Sequence, residues 1–97
     1  MDLQRIKEME ERLNRCTAAT ADLDRQLGRM EELREDMIRL FAYYGSEDWY
    51  EDREGEIPKD VPAGVLSEDQ VYDQIMAIRD SAFRMMELST DILKNRI

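Results

Sequence analysis

One apolar seam runs along nearly the whole first half of the chain, and it leaves few folds open. Stepping from Ile6 by three and then four gives Ile6, Met9, Leu13, Cys16, Thr20, Leu23, Leu27, Met30, Arg34, Met37, Phe41 and Tyr44. Only Thr20 and Arg34 interrupt its apolar character. A repeat of this kind, kept in one register, is the pattern of a coiled-coil seam. Acids and arginines fill the positions between, many at helical pairing distance: Glu8 with Arg12, Glu11 with Arg15, Glu35 with Arg39. Asp2 is a suitable N-cap and Gly45 suits the residue just past the end. The seam therefore predicts one helix over 2–44, about 65 Å long at the standard rise per residue. Gly28 lies inside it, off the seam, either as a tolerated surface glycine or as a point of bending or close helix contact.

A second helix is predicted over 68–96. Ser67-Glu68-Asp69-Gln70 has the form of a capping box, and Leu66 and Val71 stand at the positions of a hydrophobic staple. Val71, Ile75, Ile78, Ala82, Met85, Ser89 and Ile92 form one stripe. Tyr72, Met76, Phe83, Met86, Leu93 and Ile97 form its neighbour. Two adjacent stripes are more than one partner helix covers.

Residues 45–67 form the connection. Ser46 ahead of Glu47 and Asp48 predicts a short helix over 47–53. Gly55, Pro58, Pro62 and Gly64 then punctuate an irregular stretch. It is not simply polar, since Trp49, Tyr50, Ile57, Val61, Val65 and Leu66 all need cover. The expected fold is all-α, a single domain over 1–97: two long antiparallel helices in a coiled-coil-like hairpin, with an ordered linker. If Tyr44 lies beside Val71, the second helix ends short of Ile6, Met9 and Leu13. That overhang and the surplus stripe predict a homodimer, a dimeric four-helix bundle, with a three-helix arrangement that uses an ordered linker helix as the second choice. In the same register Arg34 falls near Asp80, a pair that would fix alignment across the helices.

Composition narrows the function. The chain carries 23 acids against 14 bases, for a net charge of −9. Residues 46–60 concentrate the excess, with seven acids against two bases. No cluster of Lys and Arg suits a phosphate backbone, so neither nucleic acid nor an anionic membrane is an expected partner. There is no histidine, which removes the commonest general acid–base and most zinc chemistry. Cys16 is the sole cysteine, and at a seam position it reads first as a small apolar residue. The acids Glu47, Asp48, Glu51, Asp52, Glu54 and Glu56 match no calcium-loop spacing. No catalytic residue, metal site or cofactor is expected, and the chain reads as a non-enzyme. With no apolar run of membrane-span length and no signal-peptide stretch, the expected location is the cytoplasm.

What remains is recognition of protein. The candidate interaction surface is Tyr43, Tyr44, Trp49 and Tyr50 at one end, with Met76 and Phe83 on the second helix. Aromatic residues anchor interfaces and methionines adapt to varied partners, although both also serve as plain packing. The leading expectation is a protein–protein interaction module. The alternatives are an acidic decoy that mimics nucleic acid and, further off, a carboxylate-based metal protein.

Two strings carry a resemblance. Tyr43-Tyr44-Gly45-Ser46 followed by Trp49, and Gly64-Val65-Leu66-Ser67-Glu68-Asp69, resemble the signature stretches of a family of small bacterial proteins known only as a domain of unknown function. The opening Arg5-Ile6-Lys7-Glu8-Met9-Glu10 and the later Met85-Met86-Glu87-Leu88 are similar as well, while Gly55–Ala63 matches less well. The resemblance implies a bacterial, cytoplasmic, all-helical protein. It implies no activity, cofactor or catalytic residue.

Overall fold

A computed structural model describes residues 1–96. Among these the chain is helical without strands: α1 spans Leu3–Glu32, α2 Arg34–Tyr43, α3 Glu47–Glu54 and α4 Glu68–Arg96, with a single 3₁₀ turn at Gly64–Leu66. The chain divides into two compact units, Met1–Ile38 and Arg39–Ile97.

The first unit contains α1 and the start of α2. Asp2 caps it as its position suggests, its Oδ1 accepting from the Arg5 N–H at 3.0 Å. The helix passes through Gly28 without a break, and a Cβ added there would meet nothing within 4 Å. Gly28 is half-buried, with open space where a side chain would stand. The interruption comes at Leu33, where one helix over 2–44 was expected. Leu33 relaxes to φ −86°, ψ 1°, a bridge-region geometry outside the helical well. The hydrogen bonding largely carries across it, with the Leu33 N–H on the Arg29 carbonyl at 3.1 Å and the Met37 N–H on the Leu33 carbonyl at 2.9 Å. Charge suits the division: Arg29 lies in the last turn of α1, and Glu35 and Asp36 in the first turn of α2. Each complements its helix end. No side chain of α1 is buried.

The second unit holds what core the chain has. Trp49 is 2% exposed and Val71 5% exposed, with Phe41, Tyr44, Ile75 and Ile78 half-buried around that level of the sequence. Gly45 ends α2 at φ +79°, a left-handed conformation that glycine adopts without penalty. Ser46 then starts α3 and does two things. Its Oγ donates to the Tyr43 carbonyl at 2.6 Å and accepts from the Trp49 N–H at 3.2 Å. One hydroxyl thus ties the end of α2 to the start of α3, which runs to Glu54 and no further because Gly55 leaves the helix in an extended conformation.

Ser67 caps α4, its Oγ accepting from the Gln70 N–H at 3.3 Å. The other half of the expected capping box is replaced. The Ser67 N–H goes to the Gly64 carbonyl at 3.0 Å, closing the 3₁₀ turn. The Gln70 carboxamide lies instead against Gly64, so near that a Cβ on Gly64 would sit 2.6 Å from its Oε1. The turn has taken the donor that the box would have used.

Candidate interaction site

Two of the tyrosines in the 43–50 segment, Tyr44 and Tyr50, meet around Trp49. Tyr44 and Tyr50 both approach its ring edge-on, each with centroids 5.0 Å away, at interplanar angles of 66° and 75°. Such edge-to-face pairs add about 0.5–1.5 kcal/mol beyond burial alone. The Arg53 guanidinium lies 4.5 Å from the indole centroid, a helical-turn neighbour whose charge is drawn to the ring face. The indole N–H reaches across to the Val65 carbonyl at 3.0 Å. The Tyr44 hydroxyl lies 3.4 Å from the Glu68 carbonyl, at the start of α4. Three elements are thereby pinned to one side chain.

Tyr43 faces the other way along α3. Its hydroxyl donates to Asp52 Oδ2 at 2.5 Å. That bond holds the phenol in its protonated form and pushes its pKa from 10.0 up to about 12, helped by desolvation and by the negative charges of Asp52 and Asp48. The pair forms one wall of an open groove of about 330 Å³. Ile57, Val61 and Val65 supply apolar lining and Glu51 stands with Asp52 on the acidic side. Ile57 and Val61 remain exposed.

The six candidate residues therefore separate. Tyr44, Trp49 and Tyr50 come together while Tyr43 bonds Asp52 instead, and Trp49 is interior and offers almost no surface to a partner. Tyr50 is exposed, and Tyr43 and Tyr44 are half-buried. Met76 and Phe83 lie along α4 and are exposed. Among the described residues, no ring contact or hydrogen bond joins them to the aromatic cluster. Phe83 instead borders a shallow surface depression with Met86, Glu87 and Thr90. The groove lining formed by Ile57, Val61 and Val65 was not among the candidates. Its signal was present, since apolar residues recur around the prolines of an acidic linker.

Cys16 is a free thiol and is exposed. Among the described residues, no three of Asp, Glu and Cys converge as a group able to hold a metal ion. Also among them, no helix is long and apolar enough to cross a membrane. No curated protein and no solved structure matches the chain. A family model does, over residues 6–88, a span that takes in the seam, the Trp49 junction, the groove and most of α4. This protein belongs to the family described as Domain of unknown function (DUF4298).

Proposed function

We propose that the chain is a non-enzymatic protein-interaction module that docks a basic, apolar-flanked segment of another protein. The observation that supports this reading is the groove beside Tyr43. Its lining is apolar at Ile57, Val61 and Val65, its rim is acidic at Glu51 and Asp52, and it sits within the stretch where seven acids face two bases. A cationic side chain flanked by an aliphatic one satisfies both halves of that surface. Trp49 contributes by holding α3 and the 3₁₀ turn in place, so that the groove is formed before the ligand arrives and less ordering is needed on binding. Self-association accompanies docking in this reading. Ile6, Met9, Leu13, Leu23, Phe83, Met86 and Leu93 are all exposed on the single chain, and pairing into a dimeric helical bundle would cover them.

The test is a titration of labelled short peptides that pair Lys or Arg with Leu, against versions carrying Glu in place of the base. Binding of the basic set, weakened by salt and reduced about tenfold by Glu51→Lys or Val61→Ser, is the expected result. Equal affinity for both sets would reject the docking reading.

A further inference from the structure

Charges flank the α1 seam unequally, and they bear on how two copies would meet. We infer that α1 pairs with α1 of a second copy as a parallel, in-register coiled coil; this rests on the self-association proposed above. With Ile6 at heptad position a and Met9 at d, the residues that flank the seam on one side are Glu10, Thr17, Asp24 and Glu31 at e. On the other side they are Arg5, Arg12, Ala19 and Gln26 at g. One flank is acidic and the other is basic or neutral.

In a parallel pair each g residue faces the e residue of the next heptad in the partner strand. Arg5 then meets the partner's Glu10, and symmetry repeats the contact. Gln26 can donate to the partner's Glu31. Arg12 faces Thr17 and Ala19 faces Asp24, so no like charges oppose one another. An antiparallel pair sets e against e, which brings Glu10 up to Asp24 or Glu31 and turns the acidic flank on itself.

Bonding within α1 is consistent with this division. Gln4 Nε2 donates to Glu8 Oε1 at 3.3 Å, and Arg25 bonds Asp22. These four residues lie at the outer c and f positions, whereas Arg12 at g donates within the helix to the Glu8 carbonyl at 3.4 Å. Among the described residues, the side chains of Arg5 and Glu10 have no hydrogen-bonding or ion-pair partner. The seam itself favours register. A parallel in-register pair sets Thr20 against its own copy at an a position, where a polar residue selects alignment. It also sets Cys16 against its own copy, and both are exposed on the single chain.

The experiment uses the full chain. Sedimentation equilibrium measures the dimer constant for wild type, Arg5→Glu, Glu10→Arg and the two combined. Each single swap places like charges across both symmetry-related contacts and should weaken the dimer about fivefold. The combined swap should return it close to wild type. Orientation is read from two further chains, Ile6→Cys and Met30→Cys, each with Cys16→Ala and distinguishable by a tag. Mixed and oxidised with diamide, they should give disulfides only between like chains. A disulfide between unlike chains overturns the parallel arrangement and leaves self-association standing. A dimer unchanged by both single swaps places the interface elsewhere and also overturns it. A monomer at high micromolar concentration rejects the underlying self-association as well. Circular dichroism on each variant checks that helix content is retained.

Discussion

The indole N–H of Trp49 donates to the backbone carbonyl of Val65, sixteen residues along the chain and 3.0 Å away. This bond joins α3 to the 3₁₀ turn that introduces α4. It is made by the most buried large side chain among the described residues. Trp49→Phe keeps most of the ring packing but leaves the carbonyl without its donor, and should lower stability by about 1–2 kcal/mol. Trp49→Ala also removes the ring and should lower it by about 3–5 kcal/mol. Urea unfolding followed by circular dichroism separates the two, and a Trp49→Phe loss near zero would mean that the hydrogen bond contributes little.

Tyr43 should titrate late. Its pKa is raised from 10.0 to about 12, chiefly by the hydrogen bond to Asp52. A raised pKa means that the folded chain holds the proton more tightly than the unfolded one. The stabilisation from this contact is therefore fully present below pH 10 and is lost as the pH climbs through about 12. Absorbance of tyrosinate, with Tyr43→Phe subtracted, would show the late step. Asp52→Ala should bring that step back toward the ordinary value.

Ser46 serves two helices through one hydroxyl. Ser46→Ala removes both the cap on Trp49 and the bond to the Tyr43 carbonyl, at a cost of about 1–2 kcal/mol. Ser46→Asp keeps the acceptor and lacks the donor. Its melting temperature should fall between those of wild type and Ser46→Ala.

Two glycines should respond differently to the same added methyl group. At Gly45, φ is +79°, so Gly45→Ala strains the backbone itself and should cost about 1–2 kcal/mol. At Gly64 the obstacle is Gln70 Oε1 at 2.6 Å, the far end of a flexible side chain. The Gln70 carboxamide can swing aside, and Gly64→Ala should cost less than about 0.5 kcal/mol. Thermal melts of both variants test the contrast. A large loss at Gly64 that Gln70→Ala relieved would show that the carboxamide is held there.

Much of the fold could be read in advance where a residue's local chemistry decides the outcome. Asp2, Ser46 and Ser67 act as caps because a short oxygen-bearing side chain before a helix has few other uses. Gly45 ends a helix because its neighbours cannot take that conformation as readily. Leu33 gave no such sign. It is flanked by good helix formers with neither Gly nor Pro, and a shift of one ψ angle leaves no trace in the seam. The exchange at Ser67 was hidden for a different reason: two acceptors, Gly64 and Gln70, compete for one N–H, and only the geometry of the turn decides between them. The candidate site divides along the same line. The aromatic cluster was visible as composition. That Trp49 would lie inside and Ile57 and Val61 outside depended on where the linker folds back.

The absence of any buried side chain on α1 changes what its thirty residues signify. Most helical stability in proteins comes from packing of an amphipathic face rather than from propensity. A helix covered by a second copy is stabilised in proportion to how much of that copy is present. If α1 pairs with a second copy as proposed, order in α1 would follow the amount of protein. The N-terminal third would then act as a gauge of the chain's own abundance.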